Sequence, residues 1–306
     1  MYKIYYKDTE DQKLHEISNV RPDCWIHADQ ATESDLKEIS QAMNIDYTDM
    51  LDCLDKYELP RIERSDQNLF IFSRYPTDQE IGLYTSTLTM IVTPDAFVTI
   101  CPHRSLLVQQ FLDGLPPNLP LQNTKLLIYL LLKINQEYTK KIRKIRYNVL
   151  SAEKEMISVE SEDITTLARN EEVLNQYLSC LAPMRTVLEG IRSGRYASLY
   201  EKERDFLEDC IHSTRQSEEL CDIVTKSIRS LRNAYQIIFT NNLHKTIKLL
   251  TALTIILSIP TMIASVYGMN VDLPFAKNTF AFIIVMGITI GLSACGLWVF
   301  KKKGWF

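Results

Sequence analysis

Two long tracts of this chain contain neither glycine nor proline, residues 121–182 and residues 195–259. They lack the strongest local breakers of regular structure, so both predict long helices. Two further stretches, 249–266 and 280–300, lack any charged side chain. There is no Gly-x-x-x-x-Gly-Lys loop, the phosphate cradle of many nucleotide hydrolases. No Ser/His/Asp spacing supports a hydrolase, and no enzyme activity is expected. The seven cysteines (Cys24, Cys53, Cys101, Cys180, Cys210, Cys221, Cys295) are odd in number and form no Cys-x-x-Cys pair. That argues against a disulfide framework or a thiolate zinc site, and it fits a reduced, cytoplasmic location for the body of the chain. The opening residues, Met1 to Asp8, have no apolar core of the length that export requires.

What is present is a body of about 240 residues followed by the two uncharged stretches, each close to the roughly 20 residues that cross a bilayer. With a formal net charge of −4 in 306 residues and a slightly negative mean hydropathy, this reads as a soluble body on a small membrane anchor. Lys245 and Lys248 precede the first stretch, and Lys301, Lys302 and Lys303 follow the second. The positive-inside tendency therefore places both termini in the cytoplasm of a multi-pass cell-membrane protein. Trp298, Trp305 and Phe306 suit an aromatic belt at that face.

Short β-branched and aromatic runs at 3–7, 24–27, 69–74, 83–92 and 96–101 predict strands. Thr32 or Ser34 predicts the cap of a helix ending near Met43, and another helix is expected from Ser105 to Leu112. The proline-rich stretch 115–120 marks the main boundary. Beyond it, Leu127, Leu130, Leu131, Ile134, Tyr138 and Ile142 share one helical face and predict a buried core helix. An acidic cluster (Glu160, Glu162, Asp163, Glu171, Glu172) marks the expected bend before a second helix. A continuous helix over 195–259 would be about 95 Å long, so one helix is expected to start near Glu203 and continue as the first membrane span. The chain thus divides into an α/β domain (1–120), a helical hairpin (121–202), a stalk helix (203–248), a first span (249–267), an external loop (268–279), a second span (280–300) and a basic tail (301–306).

Thr251, Thr254, Ser258, Thr261 and Ser265 lie three and four apart, along one face of the first span. One such hydroxyl is explained by helix packing. Five in a stripe that ends near Asn270 point to a water-lined path. A stripe encloses a pore only when several copies surround an axis, so a homo-oligomer in a lipid bilayer is expected.

Tyr267-Gly268-Met269-Asn270, set between two terminal spans, resembles the CorA family of magnesium transporters. The resemblance implies an α+β membrane protein, a funnel-shaped homopentamer with one stalk-and-pore helix per copy. It implies passive Mg²⁺ uptake, with Co²⁺ and Ni²⁺ as further divalent cations, and no nucleic-acid partner. Gly268, which is expected to let the backbone turn at the end of the helix, would form the selectivity filter with Met269 and Asn270; Mg²⁺ dehydrates reluctantly, and neutral amides can hold its water shell. Thr251, Ser258, Thr261 and Ser265 would line the pore, and Ile247 and Leu250 would form an apolar constriction. Leu51-Asp52-Cys53 and Leu207-Glu208-Asp209 resemble the family's patterns around an intersubunit regulatory Mg²⁺ site, assigning Asp52 and Asp209 to it. His244 stands where relatives commonly have asparagine, and imidazole suits softer metals. The zinc-transporting branch of the superfamily is therefore the main alternative. A two-span signalling receptor is a weaker one, because the nine residues 271–279 leave no room for an outer sensor domain.

Overall fold

The computed structural model describes residues 2–7, 14–78, 83–115, 123–154, 161–196, 200–271, 274 and 279–305. By contacts the chain divides into two compact units, Met1–Met156 with Thr165–Leu231, and Ile157–Ile164 with Arg232–Phe306.

The first unit is built on a seven-stranded sheet in the order β2-β1-β3-β7-β6-β5-β4. The strands are β1 (Tyr2–Lys7), β2 (Leu14–Ile17), β3 (Cys24–Asp29), β4 (Arg61–Ser65), β5 (Asn68–Pro76), β6 (Thr85–Val92) and β7 (Ala96–Cys101). Neighbours are antiparallel except β3 and β7, which run parallel with Cys24 opposite Ala96 and Asp29 opposite Cys101. The five strands read from sequence are all present. Leu83 stays outside β6, which starts at Thr85.

Alternation along the strands sorts two cores. Ile26, Val98, Ile100, Ile91, Phe70 and Phe72 cluster with Leu36 and Ile39 of α1 (Glu33–Met43), Met50 of α2 (Tyr47–Met50) and Cys53 of a 3₁₀ turn (Leu51–Leu54). On the opposite face Trp25 packs against Phe97 and against Phe111 of α3 (Leu106–Asp113), and its indole N–H donates to Thr99 Oγ1 at 2.9 Å. Helix α4 (Asn123–Lys154) joins that face, where the Tyr138 hydroxyl donates to the Arg74 carbonyl on β5 at 3.2 Å. The six apolar residues expected on one face of α4 are all buried.

Local signals set the helix starts. Thr32 caps α1 in a reciprocal box with Asp35; Ser105 caps α3 by accepting from Val108 N. Helix α5 (Ser161–Arg192) and the long α6 (Glu201–Tyr267) follow. The acidic bend between α4 and α5 and the boundary placed at 115–120 lie largely outside the described residues.

Six cysteines of this unit are buried. Burial pushes the thiols of Cys53, Cys210 and Cys221 up to about 12, so thiolate is scarce at neutral pH. A charged maleimide at pH 7.5 is expected to leave all six unlabelled in the folded protein and to label them after denaturation. Mass spectrometry of the native sample showing modified Cys53 would contradict this packing.

The second unit holds the rest of α6 and α7 (Ala281–Lys302). Each carries an apolar stretch long enough to cross a bilayer by length and composition, of which only 6% is buried. A soluble protein's core helix of that composition would be buried, so these surfaces call for lipid or further copies of the chain. Pro260 does not end α6, which runs on to Tyr267. The proline removes one N–H, leaving the Ile256 carbonyl without its helical donor.

Candidate functional site

Within the second unit, α6 has two distinct faces. Ala252, Ile256, Ile259 and Ile263 are buried or half-buried. Gly296 of α7 comes close there, and a Cβ on it would lie 3.7 Å from Ile259 Cδ1 and 3.9 Å from Ile256 Cγ1. A glycine at this point lets the two helices approach. At 3.6 residues per turn the hydroxyl stripe lies roughly 150° around α6 from this packed face. Thr251, Thr254, Ser258, Thr261 and Ser265 are accordingly all exposed, as are Ile247 and Leu250.

The hydroxyls are oriented. Thr254 Oγ1 donates to the Leu250 carbonyl (2.9 Å), Ser258 Oγ to that of Thr254 (2.7 Å) and Thr261 Oγ1 to that of Leu257 (3.1 Å). A hydroxyl has one donor and two lone pairs. With its hydrogen bonded inward, each presents acceptor lone pairs outward. The outer shell of a hydrated cation consists of water hydrogens, which need acceptors.

The same face continues towards the amino end of α6 through His244, Asn241, Thr240, Ile237, Gln236 and Asn233, which line one shallow exposed groove. Sequence reasoning singled out only His244. The missed signal was spacing: positions 233, 237, 240, 244, 247, 251, 254, 258, 261 and 265 alternate steps of four and three. Steps of three and four keep these positions along one side of a helix.

At its carboxy end α6 is closed by Gly268 N–H donating to the Ala264 carbonyl (2.9 Å) and Met269 N–H to that of Val266 (3.2 Å). Gly268, expected to let the backbone turn at the end of the helix, is the turn residue that follows Tyr267, and it turns without a positive φ. Met269 and Asn270 follow, both exposed. The negative end of the helix dipole thus points at Asn270, which favours a cation there. Beyond Asn270, only Val271, Pro274 and Thr279 of the loop belong to the described residues, and the Tyr267 hydroxyl donates to the Pro274 carbonyl at 3.4 Å.

The two expected regulatory carboxylates lie in the first unit, on different elements. Asp209 is on α6, where buried Leu207 and Cys210 turn it outward to solvent. Its neighbour Glu208 pairs with Arg192 of α5 at 3.5 Å. Asp52 is on the 3₁₀ turn and accepts from Arg61 Nη2 at 2.8 Å. Burial alone would lower the pKa of Arg61, but its hydrogen bonds to Glu63, Glu58 and Asp52 hold it above the ordinary guanidinium range. Arg61 escaped the sequence reading because nothing local announces which acids it meets. Among the described residues, no group of three or more His, Cys, Asp or Glu is arranged within the chain to hold a metal ion.

The model of the CorA-like Mg²⁺ transporter proteins matches residues 23–302. A cobalt/magnesium transport protein CorA of Methanocaldococcus jannaschii is 20% identical over 288 residues, covering 92% of this chain and 90% of the relative. The complete structure of the CorA magnesium transporter from that organism aligns with a TM-score of 0.76 over 100% of this chain and 99% of its own, at 19% identity. The ZntB cytoplasmic domain from Vibrio parahaemolyticus aligns with a TM-score of 0.64 over 78% of this chain and 98% of that domain, at 10% identity.

Proposed function

The chain belongs to the family of CorA-like Mg²⁺ transporter proteins, and on that premise we propose that it conducts hydrated Mg²⁺ into the cell as a homopentamer. Co²⁺ and Ni²⁺ are further cargo of the same path. What carries the reading is the stripe on α6: hydroxyls turned acceptor-outward, on the face opposite the α7 contact, ending at Gly268-Met269-Asn270. Copies of α6 around an axis turn that stripe into a wall of acceptors and bring the negative ends of their dipoles together at a ring of Asn270 amides. Ile247 and Leu250 form an apolar collar below it, able to gate by dewetting. Transport is passive; a divalent ion gains about 4.6 kcal/mol per 100 mV, twice the single-charge value. Both termini and the first unit lie in the cytoplasm.

Gating is assigned to Mg²⁺ held between Asp209 of one copy and Asp52 of the next. Both are exposed carboxylates on separate elements, and oxygen donors suit this cation. An ion that binds the closed arrangement better shifts the population towards it.

The test is Mg²⁺ uptake into proteoliposomes under an inside-negative potential. Flux that needs the potential and falls as Mg²⁺ accumulates inside supports the reading; no Mg²⁺ flux at any potential removes it. His244, on the polar face with Asn241 and Thr240, favours one second reading, a zinc transporter. Its mark is Zn²⁺ flux that responds to a pH gradient where Mg²⁺ flux is absent.

A further inference from the structure

Asp52, one of the two carboxylates assigned to the regulatory cation, already has a cation of its own. The Arg61 guanidinium donates to three acids at once: Nη2 to Asp52 (2.8 Å), Nε to Glu63 (2.9 Å) and Nη1 to Glu58. Its Cζ lies 4.0 Å from the centroid of the Phe72 ring, a stacking geometry that favours a guanidinium. The three partners are unequal. The Glu58 side chain is 14% exposed, against 55% for Glu63 and 58% for Asp52. The anchor of Arg61 is therefore Glu58 below and Phe72 beside it, while Asp52 is held by a single exposed hydrogen bond.

That asymmetry has a consequence for any divalent ion that needs Asp52. Exposed ion pairs are weak, so Asp52 can leave Arg61 cheaply, and the guanidinium keeps two carboxylates and its ring. The positive charge nonetheless remains beside Asp52 and repels an arriving cation. We propose that Arg61 competes with Mg²⁺ for Asp52 and so sets the internal Mg²⁺ concentration at which the regulatory site fills. The inference rests on the assignment of Asp52 as a ligand of that site. It gives the site an adjustable threshold: an intramolecular cation holds the carboxylate until the free ion outcompetes it. Both the charge and the hydrogen bond of the planar fork hold Asp52, so a substitution that keeps the charge and loses the fork acts in the same direction, less strongly.

The experiment is a Mg²⁺ titration of the purified full chain, reading protection from trypsin and the rise in melting temperature. Wild type, Asp52→Asn, Arg61→Gln, Arg61→Lys and the Asp52→Asn/Arg61→Gln double variant are compared. Arg61→Gln is expected to lower the half-saturating Mg²⁺ concentration by about three- to tenfold, the range for one exposed pair plus repulsion of a divalent ion. Arg61→Lys should fall between it and wild type, and the double variant should lose the gain. A half-saturation point unchanged or raised in Arg61→Gln, with that of Asp52→Asn clearly raised, overturns the competition and leaves Asp52 a ligand. A gain that survives in the double variant places the ion on Glu58 and Glu63 and also overturns it. Wild-type half-saturation in Asp52→Asn removes the assignment of Asp52, and the inference with it. If Arg61→Gln does not fold, Arg61→Lys decides, a lowered value supporting competition and an unchanged one rejecting it.

Discussion

Replacing Asn270 with alanine is expected to cut potential-driven Mg²⁺ uptake in proteoliposomes at least about tenfold while leaving the melting of the first unit unchanged. Asn270 is exposed at the carboxy end of α6, beyond the last backbone hydrogen bonds of Gly268 and Met269. Its amide supplies a carbonyl acceptor and two N–H donors. A ring of such amides binds the waters around the ion and leaves the water shell intact. Alanine removes every one of those groups. One neutral hydrogen bond is worth about 0.5–1.5 kcal/mol net, and every copy in the ring loses it together. Since about 1.4 kcal/mol is a factor of ten, the flux should fall by at least about tenfold. The substitution lies in the second unit and touches none of the first unit's core, so a folding defect would show separately, as a lowered melting temperature. Wild-type flux in the variant would remove Asn270 as the selective element and move the search to the stripe below it.

How far the sequence carries can be read from particular elements. The central strands were legible because they are long, β-branched runs buried on both faces, such as β7, all six of whose residues are buried. The strands that escaped, β2 and β4, are the two edges of the sheet. Leu14-His-Glu-Ile and Arg61-Ile-Glu-Arg-Ser are short and carry charge, as edge strands do to resist pairing with other chains. The same charges blur the alternation that sequence reading relies on. The length of α6 was legible from missing glycine and proline, and its start differs by two residues, Glu201 against Glu203. The hydroxyl stripe was legible as spacing. Its opposition to the α7 contact was not, because that depends on where Gly296 meets Ile256 and Ile259. The Arg61 network was out of reach altogether, since Asp52 and Arg61 are nine residues apart and meet through the packing of a 3₁₀ turn beside a strand.

The acceptor wall makes a second demand, and it separates chemistry from shape. Changing Thr254 to Val, Ser258 to Ala and Thr261 to Val in one chain removes three outward lone-pair sites while leaving the width of α6 almost unchanged. The inward hydrogen bonds to Leu250, Thr254 and Leu257 are lost as well. Each of those carbonyls already serves the helix, so the helix itself should persist. In a pore made of several copies the change converts three polar rings into apolar ones, and an apolar constriction dewets. Mg²⁺ flux is expected to fall by about tenfold or more, since each copy loses three sites worth about 0.5–1.5 kcal/mol apiece. Thr289 provides the control. Its hydroxyl makes the same bond to a preceding carbonyl, Val285 at 2.8 Å, but it is on α7 and buried. Thr289→Val should leave flux near wild type. Equal flux in the triple variant and wild type would mean that the stripe packs helices together and that the ion's path runs along another face of α6. A comparable loss in Thr289→Val would mean that the triple variant's defect comes from packing in the membrane and not from acceptors facing the ion.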